Sequence, residues 1–153
     1  MPKPFSLQTI LDVMQNRTDE ATRKLGRLIA AENSQRSRLQ MLEEYRNEYA
    51  QRLREATQQG VTPTVLLNYQ DFLARIDEAI RQQRHAVQNS EQSTKAGQEH
   101  WRSQNKQLKA IDTLSQRHDT RERYQENKLD QKLQDEFASR KYAANEQSDD
   151  NDP

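Results

Sequence analysis

A repeat of residues spaced alternately by four and three positions runs through almost the whole of the first sixty residues. It starts at Leu7 and ends at Ala56, and eleven of its fifteen positions can bury apolar surface. A 4-3 repeat sustained over about seven heptads winds two helices around one buried seam. The repeat therefore predicts a long coiled-coil helix. Its positions are Leu7, Leu11, Met14, Thr18, Ala21, Leu25, Leu28, Glu32, Gln35, Leu39, Leu42, Arg46, Tyr49, Leu53 and Ala56.

The first repeat ends at a strong turn signal, after which a second repeat begins. Gly60 suits the left-handed residue that follows a helix, and Thr62 and Pro63 suit the N-cap and first residue of the next one. The same spacing then runs from Leu66 to Ile111, with polar residues in its middle. Two long helices joined by about four residues must lie antiparallel, so residues whose numbers sum to roughly 120 are expected to face each other.

This register gives sensible packing partners. It places Trp101 opposite Thr18 and Ala21, and Gly97 opposite Leu25, so that a large side chain meets a small one in each layer. Trp101 could instead be a binding hot spot, but its seam position favours core packing.

Composition supports an elongated fold. Only 31% of the 153 residues are hydrophobic, too few to fill the core of a globular domain of this length. We predict an all-α, rod-shaped, antiparallel two-helix coiled-coil hairpin with a disordered acidic C-terminal tail. The expected divisions are a first helix at 1–58, a turn at 59–63, a second helix at 64–142 and the tail at 143–153. Residues 115–142 are expected to project beyond the hairpin or to dock on a partner.

The charge and sequence content argue against several classes of protein. Twenty-four basic and twenty-four acidic side chains cancel and are intermixed, which disfavours binding to nucleic acid or to a membrane surface. A basic stripe leaves nucleic-acid binding as a remote hypothesis. The chain lacks cysteine, a signal-peptide pattern and any apolar run of about 20 residues, so we expect a cytoplasmic protein without membrane insertion. The basic stripe consists of Arg17, Lys24, Arg38 and Arg52.

The sequence also offers no catalytic or metal-binding motif. A two-helix rod encloses no concave site, and there is no HExxH, phosphate-binding loop or G-x-S-x-G motif. His85, His100 and His118 lack the spacing of metal ligands. We therefore expect no enzymatic activity, no cofactor and no bound metal.

An unusually apolar stretch, residues 60–80, follows the turn. Val65, Phe72 and Ala79 occupy the g position of the heptad, which is normally charged in a two-stranded coiled coil. One interpretation is that Tyr45 folds over Phe72 and broadens the core. The other is a contact ridge on which a further element docks. The ridge would comprise Leu42, Tyr45, Tyr49, Phe72, Ile76 and Ala79.

Four segments resemble the FliJ family of flagellar type III export proteins: LQMLEEYRNEYAQRL, LLNYQDFLARIDEAI, HWRSQNKQL and KLDQKLQDEFASRK. The resemblance implies a non-catalytic, stalk-like component of the export ATPase complex. By analogy with the family, this component promotes assembly of the ATPase ring, contacts the cytoplasmic linker of the membrane export gate and binds unladen substrate chaperones. The family's gate-binding positions match Leu42, Tyr45, Tyr49, Phe72, Ile76 and Ala79.

Two alternatives remain at this stage. The chain could be a structural or scaffolding coiled coil whose ridge closes a homodimer. It could also be the equivalent stalk of a virulence-type secretion system.

Overall fold

The computed structural model describes the backbone of residues 6–149 and the side chains of residues 7–147. Two helices, α1 (Ser6–Gln59) and α2 (Pro63–Asp149), account for nearly all of this range, and it contains no strand. The two helices pack against each other as a hairpin, which confirms the predicted all-α fold. The chain divides into two compact units, one of residues 14–106 and the other of the described parts of residues 1–13 and 107–153.

The turn between the helices is capped as the sequence predicts. Gly60 has a φ of 91°, a conformation that strains residues with a side chain, and its N–H donates a 3.3 Å hydrogen bond to the Thr57 carbonyl. The hydroxyl of Thr62 accepts a 3.3 Å hydrogen bond from the N–H of Val65, the third residue of α2. Pro63 is the first residue of α2. Local chemistry therefore fixes where α1 ends and α2 begins.

Burial in the unit of residues 14–106 follows the heptad repeat. Every predicted seam position in this unit is buried or half-buried, while most residues between them are exposed. The sequence periodicity thus identified the packed face of both helices. The most buried side chains are Thr18, Ala21, Ile76, Ile80, Val87 and Thr94.

Hydrogen bonds across the hairpin fix its register. The Gln83 Nε2 donates to the carbonyl oxygen of Gln35 at 2.9 Å and to its Oε1 at 2.7 Å. Nearer the open end of this unit, the Thr18 hydroxyl donates to the Gln104 carbonyl at 3.3 Å. The residue numbers of both pairs sum to roughly 120, as expected for an antiparallel hairpin with this turn.

Gly97 and Trp101 lie where α1 and α2 approach closely. A Cβ atom built on Gly97 would be 2.6 Å from Leu28 Cδ1 and 3.6 Å from Leu25 Cδ1, so only glycine fits without a shift. Trp101 is half-buried, and its Nε1 donates a 2.8 Å hydrogen bond to the Thr22 hydroxyl. The indole is thus part of the helix packing, as the sequence interpretation preferred.

The other unit contains a short paired region and a long exposed part of α2. Leu7 and Leu11 on α1, and Leu108 and Ile111 on α2, are half-buried. From residue 116 to residue 147, every side chain except Glu122 is exposed. No helix in the described range is long and apolar enough to span a membrane.

The end of α2 differs from the predicted boundary. The helix continues to Asp149, beyond the expected end at residue 142, and so includes the start of the segment for which disorder was expected. The remaining residues of that segment, 150–153, lie outside the described range. Alanine, glutamate and glutamine in this segment favour helix even though they bury nothing.

Candidate docking surface

Four aromatic rings cluster near the turn. Tyr45 and Tyr49 come from α1, and Tyr69 and Phe72 from α2. The ring centroid of Tyr49 lies 4.7 Å from that of Phe72 and 5.2 Å from that of Tyr69. Tyr45 meets Phe72 edge to face, with centroids 6.3 Å apart and an interplanar angle of 78°. These distances are typical of favourable aromatic pairs, so each ring packs against at least one other.

The cluster joins the seam to the surface beside it. Tyr49 and Tyr69 occupy seam positions and are half-buried, whereas Tyr45 and Phe72 occupy flanking g positions. Tyr45 is 45% exposed and Phe72 is 37% exposed. Tyr45 does pack on Phe72, but both rings still present apolar surface to solvent. The structure therefore has a feature of each interpretation: Tyr45 packs on Phe72, as in the broadened core, and both rings remain partly exposed, as in the contact ridge.

The other three predicted ridge residues differ in accessibility. Leu42 and Ala79 are half-buried and border the aromatic rings in the heptad pattern. Ile76 is only 6% exposed and belongs to the seam below them. Ile76 can support the surface, but it offers almost no area for direct contact. We use the name aromatic ridge for Leu42, Tyr45, Tyr49, Phe72 and Ala79, with Ile76 beneath.

Sequence reasoning missed one exposed apolar neighbour of the ridge. Met41 precedes Leu42 on α1 and is among the most exposed large hydrophobic side chains in the described range. Met41, Leu42 and Tyr45 line a shallow groove that also reaches Gln83 on α2. Met41 lies outside the 4-3 repeat, so only its hydrophobicity could have identified it. A flexible methionine beside rigid aromatic rings suits an adaptable contact surface.

The opposite edge of the same seam has different chemistry. The Arg46 Nε donates a 2.6 Å hydrogen bond to Asp77 Oδ1, and Arg84 pairs with Glu43 at 3.5 Å. Both ion pairs cross between the helices. Arg46 occupies a seam position and reaches Asp77 at an e position, while Arg84 and Glu43 both occupy e positions, where coiled coils normally carry charge. Near the turn, the hairpin thus has a charged edge and an aromatic edge, and the aromatic edge exposes a cluster of apolar side chains suited to a protein partner.

Within the described residues, one group of side chains has the composition of a metal site. Ligand atoms of His118, Asp119 and Glu122 lie within 4.8 Å of one another on α2. The histidine and aspartate are exposed, and a histidine four residues before a glutamate readily pairs with it on any helix surface. The group has no buried ligand and no enclosing wall, so we assign it no metal.

Comparison with known proteins agrees with this architecture. The family model described as Flagellar FliJ protein matches residues 2–147 of the chain. The Flagellar FliJ protein of Escherichia coli strain K12 is 33% identical over 140 residues, which cover 92% of this chain and 95% of that protein. The Flagellar FliJ protein of Salmonella typhi is 32% identical over the same proportions.

These matches span both helices, the turn and the aromatic ridge. They extend along almost the full length of the relatives, so they are not confined to one amphipathic segment that any coiled coil could share. Together with the capped antiparallel hairpin, they show that the chain belongs to the FliJ family of flagellar export proteins.

Proposed function

We propose that this chain is a non-enzymatic component of the cytoplasmic flagellar type III export machinery, acting as a stalk-like partner of its ATPase. In this role it promotes assembly of the ATPase ring and couples the ring to the export gate and to unladen substrate chaperones. The observation that carries the proposal is the family match over residues 2–147, which includes nearly all of both helices.

The exposed part of α2 supports contact with the ATPase ring. Leu129, Leu133 and Phe137 follow one another at intervals of four residues and are all exposed. Such a stripe on an otherwise polar helix gains stability when a partner covers it. Leu7 and Leu11 lie in the same unit and mark where α1 pairs with α2. We propose that the ATPase ring covers this unit.

The aromatic ridge supports contact with the cytoplasmic linker of the export gate. Phe72 and Tyr45 supply exposed rings at the surface, and the ring of Tyr49 packs against both of them. Aromatic side chains anchored in this way bury large area at low cost in conformational entropy. The linker would lie along the ridge, and the paired charges on the opposite edge would remain in solvent.

The same proposal defines location and chemistry. The protein would be cytoplasmic and associated peripherally with the inner-membrane export apparatus through its partners. It would need no cofactor or metal and would contribute no catalytic group to ATP hydrolysis. Its effect on hydrolysis would arise from stabilising the assembled ring.

Complementation of a deletion strain tests the export role. The gene for this chain would be deleted in its own organism, and secretion of flagellar proteins into the medium would be measured. We expect secretion to fall sharply and to be restored by the wild-type chain. Secretion would then be compared between strains that carry Phe72→Ala or Leu67→Ala at equal protein level. Normal secretion in the deletion strain would contradict the proposal and favour a separate scaffolding role.

A further inference from the structure

Two segments that are distant in sequence and rich in basic residues lie side by side in the hairpin. Residues 14–31 of α1 contain four basic side chains and two acidic ones, and residues 92–106 of α2 contain three and one. Because the helices are antiparallel, these two segments lie side by side within the unit of residues 14–106. The combined region carries seven basic and three acidic side chains in a chain of zero net charge. The seven are Arg17, Arg23, Lys24, Arg27, Lys95, Arg102 and Lys106.

In the part of the chain that the structure describes, these seven cations have no ion-pair partner, whereas several of the cations nearer the turn do. Arg36, Arg46, Arg81 and Arg84 each form an ion pair with a carboxylate. Among residues 6–149, none of the seven cations in the basic region forms an ion pair. Residues 32–91 contain eight basic and nine acidic side chains, so their charges nearly cancel, whereas the basic region keeps an excess of positive charge. Unpaired cations at this density produce a local positive potential that attracts an anionic partner.

Four of the seven cations, all on α1, line a groove between the helices. One wall consists of Arg17, Lys24 and Arg27 on α1, and the other presents His100. Further along the groove, α2 contributes the small residues Ser93, Ala96 and Gly97 to its lining. Ala21, which is buried, forms part of the floor. We call this surface the basic groove.

We propose that the basic groove docks an acidic amphipathic α-helix of a partner protein, laid along the hairpin as a third helix. The small floor residues allow a helix backbone to approach closely, and the partner's small apolar side chains would cover Ala96 and Gly97. Arg17 and Lys24 are seven residues apart, which matches the spacing of carboxylates at equivalent heptad positions on a helical partner. This surface is separate from the aromatic ridge and is proposed independently of the stalk function.

Other anionic partners fit the groove less well. Glu20 lies among the cations of the wall, where it would repel a phosphate backbone but could pair with a basic residue of a protein helix. The floor has apolar area, which a phosphate backbone does not cover. A membrane surface would require apolar side chains that insert into it, whereas the groove presents small ones.

Binding of a synthetic helix to the full-length chain tests the proposal. The probe is a fluorescent peptide of about four heptads, with alanine at the seam positions and glutamate on the flanks. A second peptide has the same composition with its glutamates distributed around the helix. We expect the first peptide to bind more tightly, to gain helicity on binding and to lose affinity as salt rises. Fluorescence anisotropy would measure the affinity, and circular dichroism would measure the helicity.

Charge reversal identifies the groove. Arg17→Glu with Lys24→Glu should weaken binding by about tenfold or more, because two attractive contacts become repulsive. Arg54→Glu with Arg75→Glu provides the matched control, since both residues are exposed and unpaired in the described structure. The control should change affinity by less than about threefold.

Several results would overturn the proposal. Equal affinity for the two peptides, or an equal loss of affinity in the two double variants, would show that the binding is non-specific electrostatic attraction. No binding at low salt would remove the docking surface altogether. Tighter binding to duplex DNA or to phosphatidylglycerol vesicles, with the same dependence on Arg17 and Lys24, would assign the groove to a different class of partner.

Discussion

Substitution of Phe72 by alanine tests whether this residue belongs to a docking surface or to the core. The side chain is 37% exposed, so roughly two thirds of its area is covered by Tyr45, Tyr49 and the rest of the hairpin. Full burial of a phenylalanine contributes about 1.5–3 kcal/mol, and an aromatic pair adds about 0.5–1.5 kcal/mol. We expect Phe72→Ala to lower the free energy of unfolding by about 2 kcal/mol. This value lies between the loss expected for a fully exposed residue and that expected for a core residue, because Phe72 is partly buried.

Two truncations on the same helix calibrate this value. Ile76→Ala removes a side chain that is 6% exposed and should cost about 2–5 kcal/mol. Leu67→Ala removes an apolar side chain that is 57% exposed and should change stability by about 0.5 kcal/mol or less. Urea unfolding followed by circular dichroism would measure all three. Calorimetric titration with the purified gate linker, at a temperature where each variant is folded, would measure binding.

The ridge hypothesis makes a distinct prediction for binding. Phe72→Ala should weaken linker binding by about tenfold or more, the range of an interface hot spot, while Leu67→Ala should leave it unchanged. The reasoning is refuted if Phe72→Ala costs more than about 4 kcal/mol in stability and the folded variant still binds the linker normally. Phe72 would then be a core residue.

Glycine substitutions test the packing and the turn. Gly26 has open space around its Cα, so Gly26→Ala should stabilise the protein by about 1 kcal/mol through helix propensity. Gly97→Ala gains the same propensity but places a Cβ 2.6 Å from a leucine methyl, so it should stabilise the hairpin less than Gly26→Ala, or destabilise it. Equal melting temperatures for these two variants would contradict the close approach. Gly60→Ala should destabilise by about 1 kcal/mol because its φ is 91°, and an unchanged unfolding free energy would contradict the capping geometry.

The fold was accessible from the sequence because its information is periodic. A 4-3 repeat predicts which side of a helix is buried. Gly60, Thr62 and Pro63 indicate where one helix ends and the next begins. Given the turn, the antiparallel register follows from chain geometry alone. The hydrogen bonds between Gln83 and Gln35 agree with this register.

The exposed fraction of each ridge side chain could not be predicted from the repeat. Periodicity places Ile76 in the seam and Phe72 beside it, but the exposed fraction of each depends on how Tyr45 and Tyr49 orient their rings. Rotamers are set by packing among several side chains, which a heptad position does not specify. Met41 was missed for a related reason, because its exposure has no periodic signature.

The basic groove was only partly predictable, because the sequence places Arg17 and Lys24 in a basic stripe but does not show what lies opposite them. Along the chain, basic and acidic residues are intermixed, and only the hairpin brings residues 14–31 beside residues 92–106. Which cations find carboxylate partners also depends on the register across the helices, as the pair of Arg46 with Asp77 shows. Charge segregation in a coiled coil is therefore a property of the folded hairpin rather than of its sequence composition.

Titration of this protein into the purified export ATPase of the same organism tests the stalk function most directly. ATP hydrolysis rate and assembly mass would be followed in the same samples. The account predicts that both rise together toward a ring that contains few copies of this protein. If neither quantity changes while circular dichroism shows a folded helical protein, the stalk function is contradicted.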